Sequence, residues 1–294
     1  MQLMSEDTTS NEETLADLTN TDIRTNIYEG GFKTWECSVD LASLLLDRGP
    51  RKDIDELVRC DQIIEVSYYF FLSPSSHLYQ DDYINGKPQL GAGTALPTLT
   101  LFQHCLHSSI PLTFTLADFN ASVLSLVTLP NILLTWALHS SPPHLPLPIT
   151  SPTTPTDTDG DLEITPALIS AFLSDLVSKQ IQLNFISGPW SSALASLIPP
   201  SAPEMGTLVL AAETIYSPAS TEAFVAILLE LLKRVKMAKA VVGAKRVYFG
   251  VGGSVGGFKE RCAEGGAVAY EVENSGVEGL DSGVGRALIE VQMF

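Results

Sequence analysis

Residues Leu208 to Ala212 read Leu-Val-Leu-Ala-Ala, an apolar run with no polar alternation, which ends in the polar stretch ETIY. A strand apolar on both faces must be covered on both sides, the condition of a strand in a parallel sheet between two helical layers. Other segments follow the same logic. Leu112 to Ala117 is rich in β-formers and ends in DFN, and Ile181 to Ile186 reads as a strand ending in SGPW. Arg246 to Val251 reads as a strand running into a glycine-rich turn. Between them the helical pattern marks Val39 to Leu46, Ser122 to Leu138 with Pro130 near a break, and Ser220 to Met237 as an amphipathic helix. Ala267 to Val272 and Arg286 to Met293 read as a final antiparallel strand pair. Strands alternating with helices predict an α/β fold with a doubly wound sheet, mostly parallel with an antiparallel C-terminal strand.

The chain has 294 residues, long enough for one such domain, and carries 34 acidic against 17 basic side chains, a net charge of −17. That balance argues against a protein whose task is to grip a phosphate backbone, so direct nucleic-acid binding is not expected. The acidity is uneven. Residues 1–26 carry six acids and one Arg, residues 139–166 four acids and no base, and residues 66–89 two acids and one Lys. The rest holds 22 acids and 15 bases, a moderate −7. Residues 1–26 read as a flexible acidic lead, and 139–166, rich in Pro, Thr and Ser, as a disordered surface loop within a domain spanning 27–294. Cys37, Cys60, Cys105 and Cys262 are scattered without metal-ligand spacing, which predicts reduced thiols, no metal, and a cytoplasmic or nuclear protein. No apolar signal segment opens the chain, and the most apolar stretch, Phe114 to Leu138, is interrupted by Asp118, Asn120, Pro130 and Asn131. It reads as strand, turn and helix, and no membrane association is expected.

The clearest chemical signal is LGAGTALP, Leu90 to Pro97. Gly91 and Gly93 let the backbone turn tightly and approach a ligand, with a helix starting behind them. A dinucleotide-binding turn wants GxGxxG, but Leu96 stands at the third glycine position, a pattern that suits S-adenosylmethionine, which has no pyrophosphate. The strand that should feed this turn is separated from it. Gln62 to Glu65 (QIIE) starts a strand, and residues 66–89 then intervene; without them the chain reads QIIE-LGAGTALP. The 24 intervening residues correspond to 72 nucleotides, begin with Val-Ser, encodable as GTN-AGY, and end with Gln, encodable as CAG. The expectation is a retained intron, against the alternative of a genuine surface insertion.

With that gap bridged, the chain resembles the histidine protein methyltransferases, a branch of the seven-strand S-adenosylmethionine-dependent methyltransferases. The matching segments run in order: YEGGFKTWECSVDL (28–41), LGAGTALP (90–97), LADFNASVLSLVTLPN (116–131), ISGPWS (186–191), AAETIYS (211–217) and VYFGVGGS (247–254). Ala212 departs from the resemblance, where a Ser often precedes ETIY. The resemblance implies a Rossmann-like class I sheet and transfer of a methyl group to a protein histidine, with S-adenosylmethionine as cofactor. The implied partner is a basic large-subunit ribosomal protein, met by a monomer. Methylation of lysine or of a small molecule on the same fold is the alternative, as is an inactive product if 66–89 is translated.

The cofactor's chemistry and the resemblance together select candidate residues. A carboxylate at the end of the second strand can accept both ribose hydroxyls, which points to Asp118, with Phe119 beside the adenine. The resemblance carries cofactor contact onto Thr34, Trp35, Glu36, Cys37 and Ser38 before and in the first helix, and onto Gly188, Pro189 and Trp190 after the third strand. Ala212 falls beside the methyl-transfer position, with Gly91 and Gly93 in the turn. A neutral imidazole already offers a lone pair, so the enzyme's work is alignment and acceptance of the other ring proton. Glu213, Tyr216 and Asn120 are the catalytic candidates for that orienting role. His104 and His107 lack further ligands and read as an exposed helix end; the six cations from Lys233 to Arg246 read as a solvated helix face. VGGSVGG (251–257) is not followed by GK[ST], which excludes a phosphate-loop nucleotidase.

Overall fold

The computed structural model describes residues 34–47, 59–69, 89–90, 92–139, 162–272, 280 and 284–294. The expectations for 1–26, for 28–33, for Gly91, for most of 66–89 and for most of 139–166 fall outside these residues.

Among the described residues one sheet has seven strands in its main path, β1 (Cys60–Tyr69), β2 (Leu112–Asp118), β3 (Ile181–Ser187), β4 (Gly206–Ala212), β5 (Ala238–Lys245), β6 (Ala267–Glu271) and β7 (Arg286–Met293), with the two-residue strand Gln89–Leu90 paired to β1 off that path. Their order is β3-β2-β1-β4-β5-β7-β6. The first five are parallel, and β7 runs antiparallel between β5 and β6. This is the doubly wound, mostly parallel sheet that the sequence pattern predicts. The order reverses at β1, between β2 and β4, and a crevice at the carboxyl ends of these strands is where such sheets bind ligands.

Helices α1 (Glu36–Asp47), α2 (Leu96–Ser108), α3 (Ala121–His139) and α4 (Pro166–Ser178) cover one face; α5 (Ser192–Leu197), α6 (Pro218–Leu232) and α7 (Val255–Glu264) cover the other. The apolar strands divide their side chains between the two layers. Ile63, Leu208 and Leu210 pack with Leu41, Phe102 and Trp136, whereas Ile64, Val209 and Ala211 pack with Phe224, Leu228 and Phe258. Period-two alternation with both faces buried is why Leu208 to Ala212 contains no polar residue.

Several boundaries differ from the sequence expectation. The strand placed at Arg246 to Val251 lies earlier, at Ala238–Lys245, and residues 246–251 form a loop with a single bridge from Val247 to Ser254. The strand AKAVVGAK is alanine-rich and weak in β propensity; its complete burial between β4 and β7 decides the matter. Helix α6 ends at Leu232 rather than Met237; its apolar side, at Phe224, Leu228, Leu229, Leu231 and Leu232, is buried, and Ala219, Glu222 and Ala226 are exposed along the other. The cations from Lys233 to Arg246 do not share a helix face. Lys239 and Lys245 are in β5, and Arg234 donates to the carbonyls of Ala195 and Ile198 at 2.7 Å, closing the end of α5. The segment 139–166 yields both its ends to structure: His139 ends α3, Leu162 packs on the core, and the Thr165 hydroxyl caps α4, which the Pro/Ser/Thr bias concealed.

Near Pro130 the helix widens instead of breaking. Residues Leu124–Thr128 form a π turn in which the Leu129 N–H donates to the Leu124 carbonyl, and Pro130 follows with no N–H to offer. By length and composition α3 could cross a membrane; here Ile132, Leu133, Trp136 and Ala137 are buried against the sheet layer.

Strand β1 does not stop at Glu65. Val66 continues the ladder between Ala117 and Ala211, and Tyr68 and Tyr69 pair antiparallel with Leu90 and Gln89. The chain therefore returns to the strand it left, and the glycine turn is delivered to the carboxyl end of β1 with the intervening residues in place.

Candidate functional site

The glycine turn and the end of β2 are joined through one carboxylate. Gly93 has φ 54°, a left-handed conformation that glycine adopts without steric cost. Its N–H donates to Asp118 Oδ2 at 3.2 Å, and the Asn120 N–H donates to Asp118 Oδ1 at 2.8 Å. The turn's carbonyls are held from α3: Thr128 Oγ1 donates to the Gly93 carbonyl at 2.6 Å and Asn131 Nδ2 to the Thr94 carbonyl at 3.1 Å. These contacts give a physical role to the VTLPN segment, whose Thr and Asn the sequence reading did not single out. Thr34 Oγ1 donates to Thr94 Oγ1 at 3.0 Å and so ties the segment before α1 to the same turn. Beside it, the Gly188 N–H donates to the Asp118 carbonyl at 3.1 Å, joining the ends of β2 and β3.

A second carboxylate, Glu65, was also missed. It lies at the end of the expected QIIE strand, is 1% exposed, and accepts the Thr98 N–H at 2.7 Å in the first turn of α2. A carboxylate there satisfies an orphan donor and the positive end of the helix. Burial pushes both carboxyls up to about 7, against the lowering pull of the donated N–H groups: Asn120 and Gly93 on Asp118, Thr98 on Glu65. The other Glu65 oxygen, Oε1, is buried without a partner.

The remaining candidates gather at the end of β4. Ala212 is buried and pairs with Ser67 and Gly243, and Glu213 follows it at φ 57°, its N–H bonded to the Gly243 carbonyl at 3.0 Å. Tyr248 Oη donates to Glu213 Oε2 at 2.6 Å while accepting the Lys245 N–H at 3.1 Å. Lys245 Nζ stands 3.8 Å from Glu213 Oε1 and 5.5 Å from the centre of the Trp35 ring. Burial foremost, then the Glu213 charge, raises the Cys37 thiol and Tyr248 phenol well above their ordinary values. Burial likewise raises Tyr216, to about 12, against hydrogen bonds with Ser217 and Ser220; its ring meets Tyr248 edge-on at 6.5 Å. The close approach of α1 explains the geometry: a Cβ on Gly243 would stand 2.8 Å from the Cys37 carbonyl.

The structure thus brings Thr34, Gly93 and Asp118 together, and Trp35, Cys37, Glu213 and Tyr216 together. Glu36 is exposed with Oε2 3.7 Å from Arg286, and Ser38 is buried in α1. Phe119 is half-buried at the β2 end. The Asn120 side chain accepts the Ser122 N–H at 2.9 Å as the cap of α3. Pro189 is exposed, and Trp190 packs edge-on against Phe224 at 5.1 Å in the layer of α6. Asn120, not Asp118, caps α3.

Among the described residues, no three His, Cys, Asp or Glu side chains form a group that could hold a metal ion. His104 is half-buried and His107 exposed on α2, with Cys105 fully buried between them. The VGGS glycines serve packing: a Cβ on Gly253 would stand 2.1 Å from the Ile215 carbonyl oxygen, and the Ser254 hydroxyl caps α7.

No protein-family model matches the chain. It is 34% identical over 82% of its length to histidine protein methyltransferase 1 of Schizosaccharomyces pombe, and 34% identical over 82% to the protein of that name in Saccharomyces cerevisiae. In each case it spans 58% of the relative's own length. A homologue of that protein in Rattus norvegicus is 25% identical over 92% of the chain. Among solved structures, a S-adenosylmethionine-dependent methyltransferase from Clostridium acetobutylicum aligns with 96% of the chain and 99% of its own, at 6% identity and a TM-score of 0.41.

Proposed function

The chain is a homologue of the histidine protein methyltransferases, and from that premise we propose that it transfers a methyl group from S-adenosylmethionine to a histidine of a protein. The observation that supports cofactor binding most strongly is the pairing of Gly93 with Asp118 at the point where the sheet order reverses.

The donor set fits the cofactor. Asp118 is 4% exposed and its two oxygens hold one N–H each, which leaves lone pairs on both for the ribose hydroxyls. Thr34 and the Gly93–Thr94 turn would flank the amino-acid end, and Phe119 the adenine; Ala212, small and buried, leaves room beside the methyl. When bound, S-adenosylmethionine supplies an electrophilic methyl carbon. Glu213 would accept the N–H of the substrate imidazole, fixing its tautomer so that the other nitrogen's lone pair faces the methyl. Alignment of this kind contributes several kcal/mol to lowering a barrier. Tyr216 stands beside that carboxylate through Tyr248, and Asn120, which caps α3, would present its remaining lone pair beside Asp118.

The proposed substrate is a basic large-subunit ribosomal protein, which the moderate negative charge of the core favours, acting in the cytoplasm or the nucleus. A second reading, an inactive product, rests on residues 66–89. Deleting them would set Leu90 where Val66, 3% exposed, now sits in β1, an apolar exchange that restores QIIE-LGAG. Isothermal titration with S-adenosylmethionine on the chain with and without 66–89 tests both readings. Binding by both supports the enzyme, binding only after deletion supports the inactive product, and binding by neither removes the cofactor from the account.

A further inference from the structure

Glu213 is a buried carboxylate whose two oxygens have been treated differently. Oε2 receives the Tyr248 hydroxyl at 2.6 Å; Oε1 is shut from solvent with no hydrogen-bond partner. Lys245 Nζ, 3.8 Å away, is too distant to donate to it but near enough to hold the carboxylate's charge. An unmatched buried acceptor costs about 1–3 kcal/mol, and the left-handed backbone of Glu213 (φ 57°) adds a further cost that glycine would avoid. Both costs persist at the end of β4, where the chain's methyl-transfer chemistry is expected.

Tyr248 is itself fixed at two points. Its oxygen accepts the Lys245 N–H from β5 while its proton goes to Glu213, so the ring cannot swing away without losing both bonds. The loop that carries it is pinned at Gly253, whose N–H donates to the Tyr216 carbonyl at 2.9 Å. The carboxylate is therefore held through Oε2 by Tyr248, with the Cys37 thiol also against it, and Oε1 is the oxygen left unpaired.

We infer that Tyr248 is a positioning residue for the acceptor histidine: by donating to Oε2 it fixes the orientation of the Glu213 carboxylate, whose Oε1 has no hydrogen bond of its own and is the oxygen we assign to a neutral ring N–H. This rests on the histidine-methyltransferase reading and deepens it. The Lys245 ammonium beside Oε1 disfavours a second ammonium there and suits an uncharged heterocycle, so the cluster selects imidazole over a lysine side chain. During transfer the attacking nitrogen's lone pair forms the new N–C bond as the C–S bond breaks, its electrons staying on sulfur. The ring is left cationic, and its other N–H proton passes to Glu213 Oε1 and on to solvent, giving neutral methylhistidine. With the carboxylate's orientation fixed, the ring is presented in one way and one ring nitrogen faces the methyl.

The test compares wild type, Tyr248→Phe, Glu213→Gln and the double variant, with extracted large-subunit ribosomal proteins as substrate. It reads kcat, KM, the S-adenosylmethionine Kd and the ratio of the two methylhistidine isomers by mass spectrometry, below each variant's melting temperature. Tyr248→Phe should lower kcat about tenfold with the cofactor Kd within about twofold, and turn a single isomer into a mixture. The double variant should be no worse than Glu213→Gln, because both changes act through one oxygen pair. A single isomer at near wild-type kcat in Tyr248→Phe overturns the inference while the histidine reading stands. Additive losses in the double variant overturn it as well. Wild type that binds the cofactor but methylates no histidine overturns both.

Discussion

The Gly93 N–H reaches Asp118 Oδ2 at 3.2 Å across 25 residues of sequence, joining the turn after β1 to the end of β2. The contact lies at the reversal point of the sheet, and it makes one carboxylate both a strut of the glycine turn and the acceptor offered to a ligand. Structure and binding are therefore coupled in Asp118.

Asp118→Asn should weaken S-adenosylmethionine about tenfold or more, because a charge-assisted bond worth roughly 1.5–3 kcal/mol becomes a neutral one. The wild-type carboxyl titrates at about 7, so its affinity should fall as pH drops from 8 to about 6, whereas the Asn variant should be flat. Isothermal titration across that range checks both.

Glu65 gives a stability prediction with a definite sign. Its carboxyl keeps a proton up to about 7 in the folded chain, and only up to an ordinary ~4 once unfolded. Between those values the folded state binds more protons, so this group's contribution to stability falls as pH rises. Glu65→Gln removes the titration. The variant should gain on wild type from pH 4.5 to pH 7.5, on the order of 2 kcal/mol, in urea unfolding.

The turn's support from α3 can be removed separately. Thr128→Val deletes the 2.6 Å bond to the Gly93 carbonyl while keeping the shape of the side chain. A loss of about 1–2 kcal/mol in denaturant unfolding is expected, with weaker cofactor binding, since the orphaned carbonyl sits in the turn itself.

Two glycines of one loop should respond to alanine with costs of very different size. At Gly253 the new Cβ would meet the Ile215 and Tyr216 backbone at 2.1 Å, so Gly253→Ala must push the loop off the site and cost several kcal/mol. At Gly250 nothing lies within 4 Å, and Gly250→Ala should cost only the roughly 1 kcal/mol of its φ of +83°. Thermal melting of the two variants separates the cases.

What was legible in the sequence follows from which residues carry their own signal. Leu208 to Ala212 announces a doubly covered strand because every side chain in it must be apolar, and Asp118 stands out as a charge at such a strand's end. Strand β5 was misplaced because Ala and Gly fit it only through the closeness of α1, whose Cys37 carbonyl sits over Gly243. Thr128 and Asn131 looked like ordinary helix residues; their partners are backbone atoms 35 and 37 residues away. Tyr248 was hidden by the misplaced strand, since only its place in a loop lets it reach Glu213.

The most direct measurement is methyl transfer itself. The protein is incubated with methyl-deuterated S-adenosylmethionine and extracted large-subunit ribosomal proteins, and the label is located by peptide mass spectrometry. The account predicts a deuterated methyl on a histidine, reduced in Asp118→Asn at a cofactor concentration near the wild-type Kd. Label only on lysine, or none although the cofactor binds, would contradict it.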